Sequence, residues 1–263
     1  MRQQWVSRLE GLRPMEGLMT YTFFATVSRM KYIDRWALMR NSRQENLSEH
    51  SLEVAMIAHA LCVIGNVRYG KNLNADRAAV IALYHDASEI ITGDMPTPVK
   101  YYNSALRDAY KDVEHTAEQT LLHKLPEDLR GEYESILCGP GKAPAGQDAN
   151  KNAPAGPDAG ENAPGSEGLP DPDEETAGAG ERAAWESEMY LRRLVKAADK
   201  ISALIKCIEE RESGNREFRS AGESTRAAVE AMARELPEVD DFLRDFLPAY
   251  GKTLDELSGE SGV

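Results

Sequence analysis

Cysteine is scarce in this chain, with only Cys62, Cys138 and Cys207 among 263 residues and no Cys-x-x-Cys pair. An odd, widely spaced set excludes a disulfide framework and fits a reduced, cytoplasmic compartment. Cys62 and Cys207 fall on apolar helical faces and are expected in the core. Positive charge is also in deficit, 31 Lys and Arg against 44 Asp and Glu, a net charge of -13. That balance argues against a nucleic-acid polymer as partner, because such proteins carry a basic face. A small phosphorylated substrate stays open, since a local arginine or a metal overrides the net field. No apolar run reaches the roughly 18 residues of a membrane span, and the N-terminus lacks the apolar core of a signal peptide. Alternating strand patterns are missing too, so the class expected is all-α.

Helical periodicity begins at Phe23, where Phe24, Val27, Met30 and Ile33 share one stripe. Residues 1–19 read as an extension, with Met19 as an alternative start. An irregular connector is expected from Arg35 to Leu47. Ser48 is the expected N-cap of the next helix, whose buried side would hold Leu52, Ala55, Met56 and Ala58 to Ile64. After a turn at Tyr69-Gly70-Lys71-Asn72, Asp76 would cap a helix running to Ile91 and stopped by Thr92-Gly93. Prolines 96 and 98 hold the next segment extended, and Pro98 would open a long helix to about Leu125. Further helices are expected over about 126–137, 185–212 and 221–236.

Residues 139–184 differ from everything around them. They hold seven of the 13 prolines and nine of the 20 glycines, one Leu, and no Val, Ile, Met or aromatic residue. Nine acids against three bases place a net -6 there. Such a stretch buries too little apolar area to offset its ordering entropy. It is expected to be a disordered, acidic insertion in a single domain spanning 20–250, followed by a tail over 251–263. Without it roughly 215 residues remain, enough for one sizeable core.

One dipeptide stands out. His85-Asp86 interrupts the apolar run Ile81-Ala82-Leu83-Tyr84, and buried ionisable groups are costly unless paired or coordinated. His50, in Ser48-Glu49-His50-Ser51, and Asp199, in Ala197-Ala198-Asp199-Lys200, complete a set of two His and two Asp suited to a divalent transition ion. His59 lies nine residues beyond His50, about half a turn away round the helix, so it belongs to another surface. Glu89 is four residues past His85 and would share its face. Arg35 offers a planar fork for phosphate oxygens, a role that Arg40 or Arg43 could also fill. Trp36 read alone is a core residue.

An early His, an embedded His-Asp pair and a late Asp in an all-helical chain resemble the HD metal-dependent phosphohydrolase superfamily. The strings Arg35-Trp36-Ala37-Leu38-Met39-Arg40-Asn41, Glu45-Asn46-Leu47-Ser48-Glu49-His50-Ser51-Leu52, Tyr84-His85-Asp86-Ala87-Ser88-Glu89 and Thr92-Gly93-Asp94-Met95-Pro96-Thr97-Pro98-Val99-Lys100-Tyr101 are similar to the bacterial HD-domain 5′-deoxynucleotidases. The resemblance covers about 20–137 and 185–250, and implies an HD-domain helical bundle. It implies a cytoplasmic homodimer that hydrolyses 2′-deoxyribonucleoside 5′-monophosphates with a divalent cation such as Mn or Co. By the same resemblance His50, His85, Asp86 and Asp199 hold the metal, with Asp86 and Asp199 also near the substrate. Glu89 activates water, Arg35 orients phosphate, and Trp36 packs against the sugar where a 2′-hydroxyl would clash. Asp94, Met95, Pro96 and Thr97 line the nucleotide pocket. Other HD hydrolases, acting on triphosphates or cyclic nucleotides, and a non-catalytic nucleotide sensor are the competing functions.

Overall fold

The computed structural model describes residues 20–100, 102–141 and 172–259. Among them every regular element is helical, in the order α1 (Phe23–Val27), a 3-10 turn (Ser28–Tyr32), α2 (Leu47–Tyr69), α3 (Ala75–Tyr84), α4 (Glu89–Thr92), α5 (Thr97–Lys100), α6 (Ser104–Leu122), α7 (Glu127–Leu137), α8 (Pro172–Glu212), α9 (Arg219–Ala233), α10 (Pro237–Asp245), a 3-10 turn (Leu247–Gly251) and α11 (Leu254–Gly259). The all-α expectation holds. The only extended pairing among the described residues is an isolated bridge between Asp34 and Asn46.

α2 and α8 form the spine. Val54, Ala58, Leu61 and Cys62 of α2 pack with Ile81 and Ala82 of α3 and with Leu194, Ala198, Ile201 and Ile205 of α8. Alanines at the contact points let these helices approach closely. Cys62 and Cys207 are buried as free thiols, as their positions predicted. A second cluster of Phe23, Ala87, Leu121, Leu122 and Leu125, with Tyr84 and Tyr133 against it, seats the 85–88 turn on α1, α6 and α7.

Several boundaries differ from the sequence reading. Asn46, not Ser48, caps α2, because its side chain accepts from both Ser48 N and Glu49 N. Gly70, at φ 63°, ends that helix in the left-handed region where glycine is favoured. Asn74, not Asp76, caps α3 by accepting from Arg77 N. The expected helix to Ile91 breaks at His85. There Ala87 N bonds Tyr84 O at 3.0 Å and Glu89 N bonds Asp86 O at 3.0 Å, a tighter i→i+3 winding. Pro98 does not open the long helix. α5 is one short turn, and α6 starts afresh at Ser104, capped by the Asn103 side chain accepting from Leu106 N.

The stretch expected to be disordered over 139–184 is helical from Pro172 onward, where α8 begins. Residues 142–171, together with 1–19, lie outside those described.

α2 is long and apolar enough to cross a membrane by length and composition, and 56% of its most apolar window is buried inside the protein. It is the central core helix. Leu52 and Met56, expected inside, are 55% and 60% exposed, and with Val63 at 40% and Val67 at 78% they form an uncovered apolar stripe.

Candidate active site

The N-terminal turn of α2 brings His50 to the end of the spine. The connector before it folds back on itself, with Leu47 N donating to Ile33 O and Arg35 N to Glu45 O at 2.9 Å. That closure sets Arg35 and Trp36 beside His50. Trp36 sits at φ 58°, left-handed backbone that a bulky side chain rarely adopts. Three contacts hold it there. Its backbone N donates to Asp94 Oδ2 at 3.1 Å, its Nε1 donates to Glu45 Oε2 at 3.1 Å, and its ring meets Phe218 at 5.3 Å between centroids.

His50, His85 and Asp86 each place a possible ligand atom within 4.8 Å of the others. Asp199 joins them from α8, its Oδ1 3.3 Å from His50 Nε2. Asp86 Oδ2 lies 3.1 Å from His85 Nε2 and 3.6 Å from His50 Nε2. The four residues expected as ligands therefore converge from α2, α8 and the 85–86 turn.

Both imidazole Nε2 atoms are buried, and neither makes a hydrogen bond, close as the carboxylates are. Buried polar atoms without partners are rare and need an explanation. A divalent cation supplies one, because Nε2 lone pairs and carboxylate oxygens are its donor set. His85 donates from Nδ1 to Ala82 O at 2.7 Å, which turns its Nε2 to the site.

Without a cation, the carboxylates draw a proton to the His85 imidazole, which a bound cation would displace. Burial opposes charge on His85, yet Asp86 outweighs it and lifts the imidazole to about 9. Burial likewise opposes charge on Asp86, and His85 brings that carboxyl down to about 2. Asp199 lies well below the usual carboxylate range, because the adjacent His50 and the charge of Lys200 overcome its burial. His50 itself is lowered by burial and by Arg35, so it is a neutral imidazole.

Glu89 is buried beside this group with Oε2 unpartnered. Burial, then Asp86 and Asp94, push its carboxyl up to about 9. Arg35 is buried too. Its Nη1 donates to Glu45 Oε2 at 3.0 Å, while its Nε has no partner. Burial works against its charge, but Glu45, Asp199, Asp86 and Asp94 more than offset that and raise its affinity for the proton. Arg40 is engaged with Glu217 and Arg43 with Glu49, so of the three candidates Arg35 alone is the one at the carboxylates. His59 is exposed on α2, away from the site.

Asp94 reaches the site through Trp36 N, and Met95 and Pro96 follow it half-buried. The side chain of Thr97 lies outside those described. Glu45 was not singled out as functional in the sequence. Its grip on both Arg35 and Trp36 is a tertiary contact that sequence spacing does not reveal. Phe218 was missed for the same reason, being distant in the chain from Trp36.

The helical fold and this site define an HD-domain phosphohydrolase. A structure of that class from Listeria innocua matches with a TM-score of 0.60 at 22% identity, covering 87% of this chain and 88% of the other. The chain belongs to the 5′-deoxynucleotidase YfbR-like family, which it matches over residues 22–151 and 181–250. It is 40% identical over 239 residues to the 5′-deoxynucleotidase of Erwinia tasmaniensis, covering 91% of this chain and 97% of the other. It is likewise 40% identical to 5′-deoxynucleotidase YfbR of Escherichia coli, covering 91% and 96%.

Proposed function

We propose that this protein hydrolyses 2′-deoxyribonucleoside 5′-monophosphates to deoxynucleoside and phosphate with a divalent cation. The observation that carries the reading is the pair of buried, unpartnered imidazole Nε2 atoms facing Asp86 and Asp199 beside an arginine and a tryptophan. His50, His85, Asp86 and Asp199 would hold the cation, with Mn or Co suited to two His and two Asp. The bound cation offsets phosphate charge and makes water more acidic.

The chain's own groups do the remaining work. Arg35 holds two phosphate oxygens with its Nε edge, and Glu45 fixes the fork from the other side. With the cation bound, its charge would ionise the Glu89 carboxyl, whose unpartnered Oε2 would then accept the proton of the attacking water. As water attacks phosphorus, the bond from phosphorus to the 5′ oxygen breaks and that oxygen takes up a proton. Trp36 walls the sugar, and the loop of Asp94, Met95, Pro96 and Thr97 lines the nucleotide side. The three unpaired thiols support a cytoplasmic site of action.

The test is phosphate release from dAMP and AMP side by side, with Mn, Co or EDTA. Release from dAMP alone, abolished by EDTA, is expected. Equal release from both nucleotides removes the sugar selection, and no release from either removes the monophosphate reading.

A second copy of the chain is the proposed cover for the apolar stripe of Leu52, Met56, Val63 and Val67. An exposed apolar stripe, here broken only by His59 among the described residues of that face, marks an interaction surface, and one helix face packing on its own copy gives a self-complementary two-fold contact. Sedimentation should show a dimer that the double change Met56→Glu, Val67→Glu converts to monomer. A monomeric parent protein would remove the proposal.

A further inference from the structure

We infer that Ser202 and Glu53 are positioning residues for His50, acting by fixing which of its ring nitrogens carries the proton. The role rests on the metal-site reading above, while the hydrogen-bond geometry behind it stands by itself. His50 is fully buried, and its Nδ1 lies 3.0 Å from Ser202 Oγ. The Ser202 hydroxyl in turn donates to Glu53 Oε2 at 2.5 Å. A serine hydroxyl has one hydrogen. With that hydrogen given to Glu53, Ser202 Oγ meets His50 only as an acceptor. Nδ1 therefore carries the imidazole proton, and Nε2 is left with a lone pair directed at Asp86 and Asp199.

The placement is economical. Ser202 follows Asp199 by three residues on α8, and Glu53 follows His50 by three on α2, so each helix presents one site residue and one brace on neighbouring turns. The two helices are locked together below by Val54, Ala58, Leu194, Ala198 and Ile201. Glu45 is the other carboxylate near His50 Nδ1, but at 3.8 Å it lies farther away than Ser202 and its Oε2 is already taken by Arg35 and Trp36. His85 reaches the same tautomer by another route, through the backbone oxygen of Ala82. The His50 brace is thus the one built from side chains, and the one that substitution can remove.

Partners that orient an imidazole ligand and set its tautomer are worth about 10–100-fold in metal affinity or activity. The test compares the full-length protein with its Ser202→Ala and Glu53→Gln variants. Nitrogen NMR of the His50 ring in metal-free protein reads the tautomer. Titration with Co, followed by its absorption spectrum, reads affinity, and dAMP turnover separates kcat from KM. Parent protein should show the Nδ1-protonated ring. Ser202→Ala should show mixed tautomers, Co binding weaker by about 10–100-fold, lower kcat, and KM for dAMP within a few-fold of the parent. Glu53→Gln, which keeps the side-chain shape, should fall between them, because an amide can turn its nitrogen to Ser202 and reverse the chain of bonds. Folded variants that keep both the parent tautomer and the parent Co affinity would overturn the inference. A parent protein that shows the Nδ1-protonated ring but binds neither Co nor Mn would instead overturn the metal-site reading and, with it, the positioning role.

Discussion

Replacing Glu89 by glutamine is expected to lower kcat for dAMP by about 10²–10⁴-fold, the usual contribution of a positioned general base, while cation binding persists. Glu89 stands beside the proposed ligands without being one of them, so its loss should show in turnover rather than in metal affinity. Its neutral isostere fills the same buried space. Turnover near that of the parent protein would move water activation to another group. The same variant makes a prediction about stability that needs no substrate. In the metal-free protein, burial together with Asp86 and Asp94 lifts the Glu89 carboxyl to about 9. Below its unfolded value of 4.5 the group is neutral in both states. As pH rises from there towards 9, the unfolded chain ionises while the folded chain keeps its proton, so stability falls. His85, also raised to about 9, adds loss in the same direction from 6.5 upward. Thermal melts of metal-free protein should therefore drop across this range, and Glu89→Gln should flatten the slope without abolishing the His85 part. A melting profile with the parent slope would contradict the buried, protonated Glu89.

Trp36→Ala is expected to open the site to AMP. A wall that excludes one added hydroxyl discriminates by about 10²-fold, and most of that ratio should vanish when the indole goes. The structure sharpens the argument, because this ring cannot swing aside freely. Its φ of 58°, its Nε1 bond to Glu45 and its contact with Phe218 hold it in one pose. Trp36→Phe keeps a flat wall but gives up the Glu45 bond, so it should retain part of the selection. Comparing kcat/KM for dAMP and AMP across the three proteins checks this. Unchanged rejection of AMP by a folded Trp36→Ala protein would remove the steric account.

The chemistry of the site was legible early because it breaks the rules of its surroundings. His85 and Asp86 interrupt an apolar run, and Asp199 does the same on α8. Glu89 was found for a partly wrong reason, since it was placed one turn along a continuous helix. The chain in fact tightens at 85–88 over the Phe23 and Leu121 cluster, a contact between segments far apart in sequence. Ser202 and Glu53 gave no signal, because a serine among alanines and a glutamate on a helix are ordinary residues until their partners are known. Leu52 and Met56 satisfy helical periodicity, yet periodicity does not say which apolar positions the rest of the chain covers.

Composition and periodicity alone determined that the protein is helical and that its thiols are free, and they marked His85-Asp86 and Asp199 as ionisable breaks in apolar helical runs. These follow from local rules, the 3.6-residue repeat and the cost of burying charge. Only the tertiary structure decided which arginine stands at the carboxylates, which nitrogen of His50 faces them, and that Trp36 is pinned in left-handed backbone. Those depend on atoms brought within about 3 Å by packing between distant segments, a distance that hydrogen bonds require and that sequence spacing does not encode.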